Sequence, residues 1–244
     1  MKRWLVGLLL AAAVNVFAAG PMGVRQERTN YMVVANGRFE CTFVPRHMFP
    51  VWFKTPAGRE YPEIVRFLDR AKIGDTVYWL YTDLWAEQEI LENTADKFVI
   101  RCSGVYCHIH GDKVAPGRLR AVYTYTIRRD SPELEIAAEI LRDDDAKANV
   151  FFLEPAWSMK LDFDEICCDG KTIRLEPGKV FTRAKQVTFT KDGLSVTARL
   201  RPAAPIGAAR FQMREGFSTM LMYSRDLTAR ELRLAGTLIL SEGR

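Results

Sequence analysis

The chain has 244 residues, 48% of them hydrophobic and 27% charged, and its 35 basic and 30 acidic side chains give a net charge of +5. Charges of both signs alternate along its length without a basic block, so no nucleic-acid partner, whose usual footprint is a clustered basic face, is expected. A chain of this length buries most of its apolar surface in one large core, and a single domain is expected.

Residues 1–19 carry the parts of a secretory signal peptide: the basic pair Lys2 and Arg3, an apolar stretch over 4–17, and small residues at Ala18 and Ala19. Asn15 interrupts the apolar run, which is shorter than the roughly 20 residues of a membrane span. Cleavage leaves residues 20–244 as a single β-sandwich domain, secreted or periplasmic. No cysteine near the cleavage point supplies a lipid site, so no membrane anchor is expected. Losing Lys2 and Arg3 leaves 33 basic residues against 30 acidic ones, a net charge of +3.

Beyond the leader the dominant signal is alternation with a period of two, which sends successive side chains to opposite sheet faces. In Gly37-Arg38-Phe39-Glu40-Cys41-Thr42-Phe43 the apolar Phe39, Cys41 and Phe43 share one face and Arg38, Glu40 and Thr42 the other. Short β-prone runs recur at 77–81, 97–102, 119–128, 133–141, 149–153, 180–190, 194–200, 219–223 and 232–240. Three hairpins are expected. One turns at 93–96, one at Arg129-Asp130-Ser131-Pro132, where the proline cannot join a ladder, and one at Lys191-Asp192-Gly193, whose Asp-Gly pair suits a tight turn. Helix signals are limited to 62–68, with Pro62 in the first turn, and 226–232. The expected fold is all-β, a two-sheet antiparallel β-sandwich with one or two short helices.

Five cysteines, Cys41, Cys102, Cys107, Cys167 and Cys168, leave at least one unpaired in an oxidising compartment. The best pair is Cys102 with Cys107, if Ser103-Gly104-Val105-Tyr106 turns a hairpin between them. The alternative is five buried, reduced thiols. No pair has zinc-ribbon spacing, so no structural metal is expected.

The segment Tyr123-Thr124-Tyr125-Thr126-Ile127-Arg128-Arg129-Asp130-Ser131-Pro132-Glu133-Leu134-Glu135-Ile136 resembles the central hairpin of the galactose mutarotase-like β-supersandwich. That fold occurs in aldose epimerases and in sandwich domains of polysaccharide lyases and glycosidases. The hairpin over 87–104 and the strand at Asn36-Gly37-Arg38-Phe39-Glu40 are similar to it too, so the resemblance covers about half of the chain. It implies carbohydrate, an oligo- or polysaccharide, as the ligand class. The epimerases of the family use a histidine acid and a glutamate base, but their surrounding motifs do not match here, and no catalytic residue is carried across.

Three groups of residues stand out as candidates. His108, His110 and Asp112 project from one face if 106–112 is extended, which would suit metal ligands or an acid/base pair, whereas the plainer reading is a polar loop ending at Gly111-Asp112. Glu154 ends a strand at Phe151-Phe152-Leu153-Glu154-Pro155-Ala156-Trp157, where it serves as a base or sugar-hydroxyl acceptor, or merely caps a turn. Of the tryptophans left after leader removal, Trp79, Trp85 and Trp157 are the candidate sugar-stacking rings, with core packing as the alternative. In 77–85, Tyr78 and Leu80 fall opposite Trp79 and Tyr81, so one set is buried and the other available.

The chain has no Gly-x-Ser-x-Gly elbow, phosphate loop or dinucleotide fingerprint, and no cofactor is expected. The leading expectation is a secreted carbohydrate-binding β-sandwich associated with glycan recognition or processing. One alternative is a mutarotase-like epimerase, polysaccharide lyase or glycoside hydrolase using His108 or His110 with Glu154. The other is a structural envelope protein without a ligand.

Overall fold

The computed structural model describes residues 22–27, 30–61, 66–67, 69–80, 83–144, 147–152, 155–156, 163–173, 185–200, 210–214, 217–227 and 230–243. The expected signal peptide lies outside the described residues. The chain first makes a four-stranded antiparallel sheet, β1 (Val24–Gln26), β2 (Met32–Ala35), β3 (Glu40–Phe43) and β4 (Pro50–Lys54), in that order. Then come β5 (Arg66–Phe67), β6 (Arg70–Ile73) and β7 (Thr76–Trp79), followed by two long hairpins, β8 (Glu87–Asn93) with β9 (Lys97–Val105) and β10 (Arg120–Arg128) with β11 (Glu133–Leu141). The second half runs through β12 (Ala148–Phe152), β13 (Pro155–Ala156), β14 (Glu165–Cys168), β15 (Lys171–Ile173), β16 (Gln186–Lys191), β17 (Leu194–Leu200), β18 (Arg210–Arg214), β19 (Phe217–Leu227) and β20 (Glu231–Glu242).

A nine-stranded sheet takes the order β15, β14, β16, β17, β20, β11, β10, β9, β8, and a seven-stranded one is ordered β5, β13, β19, β12, β6, β7, with β18 against β19. The antiparallel sandwich of the sequence reading is therefore present, with three hydrogen-bonded sheets contributing to one core. The alternation in β10 and β11 buries Ala121, Tyr123, Tyr125 and Ile127 beside Leu134, Ile136, Ala138 and Ile140. From the four-stranded sheet, Phe43 meets Tyr125 edge-on at 5.6 Å and Phe98 at 6.5 Å. Each such buried ring contributes about 2 to 3 kcal/mol, which is why the four-stranded sheet holds to the nine-stranded one.

All three expected hairpins form, and Asp192 and Gly193 adopt the positive φ angles of 50° and 73° that a two-residue turn needs. The turn at 129–132 is clasped to the β2–β3 turn by Asn36. Its Nδ2 donates to the carbonyls of Arg128 and Ser131, both at 2.8 Å, while its Oδ1 accepts from the amides of Arg38 and Phe39 at 3.0 Å each. The Asp130 amide donates back to the Asn36 carbonyl at 2.7 Å. A side chain at Gly37, where φ is 92°, would meet Asp130 Oδ1, so the clasp leaves room only for glycine.

Two expectations are corrected. The proposed helices do not form where they can be seen: Arg66–Phe67 is a strand, Asp226 and Leu227 end β19, and Glu231 and Leu232 begin β20. Short apolar segments fit either periodicity, and pairing with neighbouring strands decides between them. Helical conformation among the described residues is limited to a 3-10 turn at Pro116–Arg118 and to Leu80, which is also in 3-10 conformation, and no helix there is long and apolar enough to cross a membrane. The expected Cys102–Cys107 disulfide is also absent, and none of the five cysteines is bridged to another. Ser103, Gly104 and Val105 do not turn; they continue β9 opposite Val122, Ala121 and Arg120. Five residues of extended chain separate Cα atoms by about 16 Å, far beyond the roughly 7 Å limit for a disulfide. Burial pushes the Cys102 thiol up to about 12 and raises that of Cys107 as well, which fits inert packing groups.

Candidate functional site

Three loops converge where β9 ends. The first follows β3 and carries Arg46, His47 and Met48; the second follows β7 and carries Asp83 and Trp85; the third runs from Tyr106 to Leu119. Asp83 joins two of these elements. It is buried, with Oδ2 accepting from the Val105 amide at 2.8 Å and Oδ1 from the Trp85 amide at 3.0 Å. Gly104 lets the loops close in, because a methyl group there would stand 2.7 Å from Met48 Sδ and 2.8 Å from Asp83 Oδ2. Gln88 fastens the first loop by donating to the carbonyls of Val44 and His47, both at 2.8 Å.

This framework holds Trp85 in water. The side chain is 75% exposed, yet its own amide is fixed by Asp83 and its ring lies under the Arg46 guanidinium at 4.8 Å. Leu84, Ile109 and Val114 are exposed too, so four of the seven exposed large apolar side chains among the described residues belong to the second and third loops. Trp79 is half-buried at the end of β7, with the Arg70 guanidinium 5.2 Å from its ring. Tyr78 and Leu80 point into the core, as the alternation in 77–81 implied. Trp79 exchanges backbone hydrogen bonds with Cys107 at 2.7 and 3.0 Å, which brings the tryptophan strand to the foot of the histidine loop.

The histidine segment is not extended over 106–112 but turns, as a polar loop ending at Gly111-Asp112 would. Cys107 bridges to Val114, and the His108 amide donates to the Lys113 carbonyl at 2.7 Å, so 108–113 closes on itself. The three polar side chains are gathered all the same, by the turn rather than by strand alternation. His108 Nδ1 is 3.3 Å from Asp112 Oδ1, and the His108 and His110 rings meet edge to face at 5.3 Å. Among the described residues no group of three or more His, Cys, Asp and Glu side chains is arranged to hold a metal ion. His47 sits in the first loop, and its burial holds the imidazole below its ordinary value.

Of the sequence candidates, Trp79, Trp85, His108 and His110 thus fall on neighbouring loops and strand ends, while Glu154 and Trp157 lie outside the described residues. Arg46, Met48 and Asp83 had not been singled out. Asp83 had a visible signal, since an aspartate two residues before its target amide is the pattern of a side-chain-closed turn. Arg46 had none, because its partner is 39 positions away in the chain.

Neither a protein-family model nor a curated protein matches the sequence. Solved structures do match its fold. A galactose mutarotase related enzyme from Lactobacillus acidophilus superposes with a TM-score of 0.51 at 11% identity, covering 88% of this chain and 99% of that one. An α-N-acetylgalactosaminidase from Bifidobacterium bifidum gives 0.62 at 11% identity over 86% of this chain and 36% of the other. A heparan sulfate lyase from Pedobacter heparinus gives 0.58 at 9% identity over 91% and 37%. The chain therefore has the galactose mutarotase-like β-supersandwich fold, and it spans about a third of the length of the latter two proteins.

Proposed function

We propose, from this fold and the loop cluster at the end of β9, that the protein binds carbohydrate outside the cytosol in glycan recognition or processing. The observation that carries the reading is Trp85, a large ring held out in solvent by a buried carboxylate and a stacked guanidinium. Exposing an indole forgoes the stabilisation its burial would give, and fixing its loop removes freedom the loop would otherwise keep. A preorganised aromatic face is what stacking on a sugar ring requires, and ordering it beforehand lowers the cost of binding. The sequence features of residues 1–19 support the extracytosolic address.

The neighbours' names direct the first experiment to galactose and N-acetylgalactosamine glycans. On a glycan array, the protein is expected to bind a subset of these, and Trp85→Ala to weaken that binding at least about tenfold, the loss of one well-packed ring contact. Binding that is equal in the variant, or absent throughout, defeats the proposal. The His108–Asp112 contact favours a second reading, mutarotase-like acid/base chemistry, because a carboxylate beside Nδ1 orients an imidazole. Polarimetry on freshly dissolved α-galactose separates the two: faster mutarotation supports catalysis, and an unchanged rate leaves binding alone.

A further inference from the structure

The outward face of the four-stranded sheet is assembled by its register. Arg25 lies opposite Val33, Val33 opposite Thr42, and Thr42 opposite Trp52, so these four side chains form a row across one face. The alternate row, Val34, Cys41 and Phe53, points into the core and is buried. Two positions along their strands, Glu40 and Lys54 extend the outward row, and Glu60 bridges to Lys54. Val33 and Thr42 face outward but are only 3% and 9% exposed, because taller side chains stand around them. The result is a hollow of about 380 Å³, within the range of small-ligand sites.

Its wall and rim have distinct chemistry. Tyr31 and Trp52 lie with ring centroids 5.5 Å apart and planes tilted by 41°, and Trp52 is 44% exposed. Arg25 donates through both terminal nitrogens to the two Glu40 oxygens, at 3.1 and 2.8 Å, and Lys54 Nζ is 3.2 Å from Glu60 Oε1. These pairs present fixed donors and acceptors side by side, which matches vicinal hydroxyls that both give and receive hydrogen bonds. Arg25 and Lys54 face three carboxylates, Glu27, Glu40 and Glu60, a surplus of one negative charge that opposes an anionic ligand.

We infer that this hollow binds a neutral pyranose unit of a glycan, stacked on Trp52 beside Tyr31 with its hydroxyls on the Arg25–Glu40 and Lys54–Glu60 pairs. It is a site separate from the loop cluster, built on β1 to β4 and the flanking residues Glu27, Tyr31 and Glu60, and it does not depend on Trp85.

The test is affinity electrophoresis of the whole protein in gels containing galactan, arabinoxylan or glucomannan as neutral polymers and heparan sulfate as the anionic one. At least one neutral polymer should retard the protein, and Trp52→Ala should weaken that retardation about tenfold or more, as expected when a stacking ring is removed. Arg25→Gln keeps both rings and breaks the bidentate pair, so it should weaken binding about fivefold, covering the case in which Trp52→Ala fails to fold. Retardation by heparan sulfate alone, none in any gel, or neutral-polymer retardation unchanged in both variants overturns the inference. Retardation lost in Trp85→Ala but kept in Trp52→Ala and Arg25→Gln overturns it too while sparing the loop-cluster proposal; the opposite pattern upholds this site and removes the other.

Discussion

Replacing Asn36 is the sharpest test of how the four-stranded sheet is held. The side chain is 4% exposed and makes four hydrogen bonds, two given to carbonyls of the β10–β11 turn and two received from amides of its own turn. At about 1 kcal/mol for each net bond, with some recovery by entering water, Asn36→Ala should cost about 3 kcal/mol. For a chain of this size that lowers the melting temperature by about 6 to 12 °C. Asn36→Asp discriminates between mechanisms, because it keeps both acceptor bonds but sets a carboxylate against two carbonyl oxygens that now sit 2.8 Å from a donor. At neutral pH it should be at least as damaging as alanine. That repulsion raises the folded-state pKa of the new carboxyl, so the loss should shrink as pH falls and the carboxyl takes up a proton. Thermal melts followed by circular dichroism measure both variants. An Asn36→Asp protein melting within about 2 °C of the parent at pH 7 would refute the clasp, since a loss of even 1 kcal/mol would show.

Two further expectations concern the loop cluster. Asp83→Ala removes the acceptor from the Val105 and Trp85 amides, so hydrogen exchange at both should accelerate at least about tenfold, with roughly 3 kcal/mol lost overall; unchanged exchange at Trp85 means that something else fixes this loop. Burial depresses the His47 pKa below 6.5, so its stabilising effect is complete above about pH 6.5 and is lost as pH falls through the folded value. His47→Gln should flatten that part of the stability–pH curve in urea titrations, and an identical slope in the variant would assign the dependence to other groups.

Much of the nine-stranded sheet was legible in the sequence because its hairpins alternate cleanly and turn on strong signals. Tyr123, Tyr125 and Ile127 fall on one face in the sequence and are buried together in the structure. The four-stranded sheet was harder to read. β1 and β2 are three and four residues long, and Val33 and Val34 are both buried, which erases the period of two. Without β1, β2 and β4 as strands, Arg25, Tyr31 and Trp52 could not be placed on one face. In the loop cluster, Trp85 was visible as an isolated aromatic, but the carboxylate that pins it acts across 22 residues to Val105, a distance that only the folded chain closes.

The four-stranded sheet links the two proposed surfaces through β3 and β4. Thr42 and Trp52 sit opposite each other on these strands, and the 44–49 connection between them delivers Arg46 to Trp85 and the Met48 carbonyl to the Tyr125 hydroxyl at 2.8 Å. The Tyr125 hydroxyl is fully buried, so this bond fixes the connection against the middle of the nine-stranded sheet rather than at its rim. At the other end of the same sheet, the Asn36 clasp fastens the β2–β3 turn to the β10–β11 turn. β3 is thus tied to the large sheet at both of its ends, with Phe43 packed on Tyr125 beside the tie from Met48. Such anchoring suits a strand that must hold an exposed platform on one face while its outgoing loop braces a tryptophan, because motion in β3 would blur both surfaces together.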